Sequence, residues 1–149
     1  MVDTSPASCP FCQIIHGKRE SRIVFENEET LAFLDRRPLF PGHCLVVPRE
    51  HYATLLDLPQ ARLASLFSVA QLLARALERG LGAEGSFVAV NNRISQSVPH
   101  LHIHVVPRRH KDGLKGFFWP RHPYTDEATL LHTQHTLRQA IVELTKSHD

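Results

Sequence analysis

The chain is poor in what stabilises a small protein covalently or ties it to a membrane. Three cysteines in 149 residues are too few for a disulfide framework, and Cys44 lies inside an apolar, strand-like run. No apolar stretch approaches the roughly 18 residues needed to cross a bilayer. Residues Met1 to Ser8 are polar and carry no apolar signal-peptide core. Seventeen Lys and Arg against fifteen Asp and Glu give a formal charge of +2, too small an excess to argue for nucleic acid. Internal repeats, low-complexity tracts and linkers are also lacking. Together these absences predict a cytoplasmic globular protein, one domain over residues 1–149 with a polar tail at 1–8. A chain of this length buries roughly two-thirds of its unfolded surface.

Histidine, by contrast, is abundant, with eleven residues, and three of them alternate in His100-Leu101-His102-Ile103-His104-Val105-Val106. That period is the period of a half-buried strand. Side chains at i, i+2 and i+4 share a face, so the rings are expected about 6.5–7 Å apart along it. Leu101, Ile103 and Val105 are expected to point into a core. A soluble fold has little structural reason to align three titratable rings, so the run reads as a site.

Elsewhere the pattern predicts a helical turn at Cys9–His16, then strands at Arg22–Glu26 and Thr30–Leu34 around the polar break Asn27-Glu28-Glu29. His43–Val47 is a further strand, bounded by Pro41-Gly42 and Pro48. From Pro59 to Arg79 the apolar residues Leu63, Leu66, Phe67, Ala70, Leu73, Ala74 and Leu77 recur at helical steps. Asp57 with Gln60 has the form of a capping box, and Gly80 of a stop. Strands follow at Ser86–Val90 and Leu101–Pro107. A last helix covers Asp126–Lys146, extending to about residue 147, with Leu130, Leu137, Ile141 and Leu144 on one side. Strands joined by short turns, with one long helix inserted, imply an α+β fold with an antiparallel sheet.

Cys9-Pro10-Phe11-Cys12 allows three readings: half of a tetrahedral zinc site, a redox pair, or two small buried residues. Its wording resembles glutaredoxin-like motifs, but those follow a core strand, and only a polar tail precedes Cys9. Zinc is preferred because histidines are available to complete the set. Cys44 reads as core packing. His43 opens a strand just after Pro-Gly, where a side chain reaches a cleft; only the triad raises it above an ordinary histidine. The triad itself could ligate metal, or supply a nucleophile, since imidazole attacks phosphorus to give a labile phosphoramidate. Periodicity leaves the two open.

His-φ-His-φ-His-φ-φ, with φ apolar, resembles the signature of the histidine triad (HIT) nucleotide hydrolases and transferases. The likeness covers most of the chain: Cys9 to Cys12, Leu31 to Asp35, Pro41 to His43, Val47 to His51 and Gln96 to Arg108 follow the family's order. It implies a HIT-like α+β fold in a homodimer. The activity implied is cleavage at the α-phosphate of a nucleoside phosphoramidate, dinucleoside polyphosphate or adenylylated adduct. His102 matches the nucleophile that would carry the nucleotide. His104 and His43 match imidazoles that contact phosphate oxygens, His104 also assisting the leaving group. Gln96 and Ser97 match phosphate contacts, Asp35 the ribose acceptor, and Asn91 a polar residue near ribose or phosphate. Phe11, Ile14 and Phe33 match walls of the base pocket. By the same resemblance Cys9, Cys12, His51 and His100 form a closed, structural zinc set.

The sequence departs from the family in places. The loop Asn91–Ser97 is short and lacks glycines that let backbone N–H groups approach phosphate, so Arg93 could supply charge there. Arg36 stands where relatives often carry an apolar residue against the base; it could stack on the base or point to solvent, and solvent is preferred. Phe117, Phe118 and Trp119 are expected to pack the domain or a dimer interface, Trp119 toward the partner's site. The reading is therefore a zinc-containing hydrolase of purine nucleotides, adenosine-containing by preference, with no membrane or nucleic-acid partner. Two alternatives differ in class: a nucleotide-binding regulatory module with incidental turnover, and a zinc metallohydrolase using the triad as ligands.

Overall fold

Alternating apolar residues build five short strands: β1 (Ile23–Glu26), β2 (Thr30–Leu34), β3 (Cys44–Pro48), β4 (Gly85–Ala89) and β5 (Ile103–Arg108). In the computed structural model, which describes residues 5–115 and 120–146, all neighbours pair antiparallel in one sheet of order β1-β2-β3-β5-β4. The helices are α1 (Pro10–Ile15), α2 (Gln60–Leu81) and α3 (Glu127–Lys146). This is the expected α+β architecture, a sheet with one long helix inserted between β3 and β4. The chain divides into a unit at 1–112 and a second at 113–149. In the second unit Asp126 caps α3, accepting from the Thr129 N–H at 2.7 Å. The segment Phe117–Trp119 lies outside the described residues. Among the described residues, no helix is long and apolar enough to cross a membrane.

The two-residue period of a strand splits the first unit into two cores. One face of the sheet buries Ala32, Cys44, Val46, Leu101, Ile103 and Val105 with Leu66, Val69, Ala70, Leu73 and Leu77 of α2. The other face buries Leu31, Phe33, Leu45 and Val47 with Cys9, Phe11 and Cys12 of α1. Leu101, Ile103 and Val105 are all 0 % exposed, as the alternation requires. Their histidine neighbours are thereby held on the α1 face, where Phe11 sits edge-on to both His100 and His102.

Several boundaries differ from the sequence expectation, β1, β3 and β4 by a single residue. β5 begins at Ile103, two residues late, because the Leu101 N–H donates to the Tyr52 carbonyl (2.7 Å) and the His100 N–H to the Val98 carbonyl (2.8 Å). The capping box is made by Thr54 and Asp57 around a single 3-10 turn at Leu55–Asp57, which uses the Asp57 carboxylate before α2 begins. α2 is then preceded by Pro59, with no side-chain cap. Its stop is Gly82, whose φ of 66° is left-handed, and not Gly80. A glycine takes that conformation without steric cost.

Candidate active site and metal cluster

The triad histidines are separated by what holds their inner nitrogens. His102 Nδ1 lies 2.7 Å from the His100 carbonyl. A carbonyl only accepts, so Nδ1 carries the proton and Nε2 keeps its lone pair. Burial lowers the pKa of His102, opposed by that carbonyl bond and by Asp35. Its ring is therefore neutral near pH 7 and has a nucleophilic nitrogen available. The rings of His102 and His104 are 4.9 Å apart. Burial, reinforced by the charges of His102 and His43, lowers His104 to about 4.

His43 is buried behind His104. Its Nδ1 accepts from the Leu39 N–H at 3.1 Å, and its Nε2 lies 3.0 Å from His104 Nδ1. Asp35 Oδ2 is 3.7 Å from the same Nε2, too far for a hydrogen bond. Burial lowers His43 as well, while the Asp35 charge pulls the other way. On the sheet, Leu45 of β3 stands opposite His104, which puts both side chains on the α1 face.

These residues open into a cleft of about 300 Å³, whose walls include Phe11, Ile14, Phe33, Asp35, Ser97, His102 and His104. Seven of the residues expected at the site are thus brought together. His43 stands just behind this wall. Arg36 is exposed and lies at the cleft as well. Asn91 and Gln96 are not among the lining residues. Asn91 donates to the Ser95 carbonyl at 3.3 Å. Gln96 donates to the Ala53 carbonyl at 2.6 Å and accepts from the Arg93 N–H at 2.8 Å. Without glycines, the loop turns on Arg93 (φ 68°) and Ser95 (φ 58°). The sequence reading missed Arg19, Glu20, Ser21 and Val98 in the cleft. Their one signal was proximity in the chain to α1 and Ser97. A larger apolar cavity of about 690 Å³ lies at Val24, Leu34, Gly42, Cys44 and Leu77, and among the described residues the ionisable side chains on its wall are Cys44 and Arg109. Cys44 is a core residue whose thiol burial pushes up, so the chemistry belongs to the smaller cleft.

Beside the cleft, Cys9, Cys12, His51 and His100 hold their ligand atoms within 4.8 Å of one another. His100 Nδ1 lies 3.4 Å from Cys9 Sγ and 3.5 Å from Cys12 Sγ, and His51 Nδ1 lies 3.2 Å from Cys12 Sγ. A tetrahedron with Zn–S near 2.3 Å and Zn–N near 2.0 Å has S···N edges of about 3.5 Å, so the spacing fits. The tautomer fits too. His100 Nε2 donates to the Pro48 carbonyl at 2.9 Å, which leaves the Nδ1 lone pair facing the thiols, the arrangement metal-ligating histidines usually show. Burial lowers His100 to about 4 and lowers His51 as well. Burial, with the hydrogen bond and charge of Cys9 added, pushes Cys12 up to about 11. A second group, Asp35, His43 and His104, also gathers its ligand atoms. Among the described residues His102 belongs to neither group, and His100 and His104 fall in different ones.

A family model for the HIT domain matches residues 16–111. The chain is 34% identical to the adenosine 5'-monophosphoramidase of Schizosaccharomyces pombe over 122 residues, 80% of this chain and 89% of that one. It is 35% identical to an adenylylsulfatase of Arabidopsis thaliana over 71% of its own length, a segment spanning 55% of that longer protein. A Streptococcus mutans structure superposes with TM-score 0.82 at 34% identity, covering 95% and 90% of the two chains. A zinc-bound histidine triad protein from Mycobacterium smegmatis gives 0.71 at 37% identity, covering 96% and 99%. With the match spanning the triad strand and the cleft wall from Arg19 onward, the chain belongs to the HIT domain family.

Proposed function

We propose that the protein is a nucleotide hydrolase that cleaves the α-phosphate bond of a nucleoside phosphoramidate or dinucleoside polyphosphate through a nucleotidyl-His102 intermediate. The observation that carries this reading is the free Nε2 of a neutral, buried His102 in a cleft shared with His104. Phe11, Ile14 and Phe33 offer the base an apolar slot, with Phe11 and Phe33 packed edge to face at 5.4 Å. Asp35, at the cleft wall, offers acceptors to ribose hydroxyls, and Ser97 a donor to phosphate. Asn91 and Gln96 would support the loop that presents Ser97, while His43 supports His104.

His102 Nε2 attacks the α-phosphorus in line. The bond from phosphorus to the leaving nitrogen or oxygen breaks, and its electron pair departs with the leaving group. A hydrogen bond from His104 stabilises charge on that atom. The phosphorylated ring is cationic, and the His100 carbonyl accepting from its Nδ1–H stabilises it. Water then attacks phosphorus, the P–Nε2 bond returns its electrons to His102, and the water proton passes to solvent. A nucleoside monophosphate is released.

Cys9, Cys12, His51 and His100 would hold a zinc ion, which when bound supplies a structural crosslink between α1 and the residues around β3 and β5. We infer a cytoplasmic homodimer of purine nucleotide specificity. β4 supports the dimer as an edge strand with Val88 exposed, open to pairing with a second copy. Incubation with adenosine phosphoramidate, a quench in mild base and mass spectrometry test the reaction. An AMP adduct on His102, absent in His102→Ala, is expected. Undiminished turnover in His102→Ala would sink the mechanism.

A further inference from the structure

Hydrogen bonds behind the cleft decide where protons sit in front of it. The Leu39 backbone N–H donates to His43 Nδ1 at 3.1 Å. An amide nitrogen has no lone pair to offer, so Nδ1 must be the acceptor, and the neutral ring carries its proton on Nε2. That nitrogen lies 3.0 Å from His104 Nδ1 and 3.7 Å from Asp35 Oδ2. Only the first is hydrogen-bond distance. His43 Nε2–H therefore donates to His104 Nδ1, and His104 carries its own proton on Nε2. The chain runs in one direction, from Leu39 through two rings.

An extra proton has no place in this chain. On His43 Nδ1 it would face the Leu39 N–H, and on His104 Nδ1 it would face the His43 N–H. Either site requires breaking a bond in a buried pair. His102, on the remaining side of His104, has its Nδ1–H committed to a carbonyl. A neutral imidazole can donate a hydrogen bond but is a very weak acid. The same bond denies His43 Nε2 a lone pair, which disfavours a cation at Asp35, His43 and His104.

We propose that the backbone amide of Leu39 is a positioning group that fixes the proton on His104 Nε2, holds the His43–His104 pair neutral, and confines turnover to leaving groups that depart without needing a proton. This rests on the in-line reaction at His102. The favoured class comprises phosphate, sulfate and carboxylate anions, and amines already protonated on the scissile nitrogen. In each case the P–O or P–N electron pair leaves on an atom that needs no further proton. Alkoxides and weakly acidic phenoxides are disfavoured.

Two measurements on the full-length chain test this. Nitrogen-15 NMR of labelled imidazoles at pH 7 is expected to show the proton on Nε2 of both His43 and His104, and on Nδ1 of His102. Leu39→Ala, which keeps the amide, leaves this pattern, and Leu39→Pro, which removes it, scrambles His43 and His104. A wild-type proton on His104 Nδ1, or imidazolium at either ring, overturns the proposal whether or not the proline variant folds. The second is a series of aryl esters of adenosine monophosphate, read as kcat/KM, which reports only the first step. Across phenols from about pKa 4 to 10, kcat/KM is expected to fall on the order of a thousandfold or more. A change under about tenfold means that a proton is being supplied and overturns the proposal. Failure of even the most acidic ester would refute the hydrolase reading, while the NMR spectrum would still decide the proton positions.

Discussion

Acid should unfold this protein through its histidines before its carboxylates, and His100 sets the scale. The ring is 0 % exposed, and burial lowers its pKa to about 4, the Pro48 carbonyl bond opposing in part. The unfolded ring titrates near 6.5. Because the folded value lies below the unfolded one, the native state binds fewer protons. The contribution is intact above pH 6.5 and is lost as pH falls toward 4. The difference amounts to about 2 kcal/mol at pH 5 and about 3 kcal/mol at pH 4. His43, His51, His102 and His104 are all shifted the same way, while exposed His110, raised by Glu84, acts in the opposite direction. Against a total stability of about 5–15 kcal/mol, the His100 difference is a large fraction. Urea titrations of chelator-treated protein at pH 7.5, 6 and 5 would show it. With a urea slope of about 1–3 kcal/mol/M, the midpoint should drop by roughly 1 M by pH 5. His100→Asn, less stable at pH 7.5, should show a shallower decline. A midpoint constant from pH 7.5 to 5, or equal slopes in the two proteins, would refute the reasoning.

Other outcomes follow from single contacts. His51→Ala removes one of four clustered ligands and should lower zinc retention by tenfold or more, on the scale of lost ligation; full retention in a metal assay would remove His51 from the set. Leu101→Ala deletes a wholly buried side chain and should cost about 2–5 kcal/mol in chemical denaturation. Gly42→Ala combines a φ of 104° with a Cβ that would meet Leu81 Cδ1 at 2.6 Å. It should destabilise by about 1–3 kcal/mol, and an unchanged melting temperature would contradict the packing. Asp35→Asn keeps shape and removes charge; a weaker nucleotide affinity by about tenfold is expected in calorimetry, and equal affinity would remove Asp35 from the ribose contact.

Periodicity made the fold legible. The alternation through His100–Val106 named three residues that are wholly buried, and the helical steps from Leu63 to Leu77 named most of the α2 core. Spacing made Cys9 and Cys12 legible as half of a metal site, while His51 and His100, from two distant stretches of the chain, were named only by the family resemblance. Main-chain partners were not legible, because every residue carries the same amide. The Pro48 carbonyl on His100 and the Leu39 N–H on His43 set the tautomers of those imidazoles, and neither leaves a trace in side-chain pattern. Asp57 was read as a cap for α2 because it precedes a helical run. Thr54, three residues earlier, claims it instead. Gln96 was expected at phosphate by its place before the triad, yet both ends of its amide are held by backbone groups at Ala53 and Arg93.

α1 is six residues long, far shorter than a helix that persists alone in water. It owes its place to what surrounds it. Two of its flanking and internal residues, Cys9 and Cys12, belong to the ligand cluster, while Phe11 between them is a wall of the cleft and touches the rings of both His100 and His102. Residues of the cluster and of the cleft wall thus share one short helical segment. If the cluster holds zinc as proposed, removing the ion should register first in KM, through the Phe11 wall, and in kcat afterwards, through the His100 carbonyl on His102.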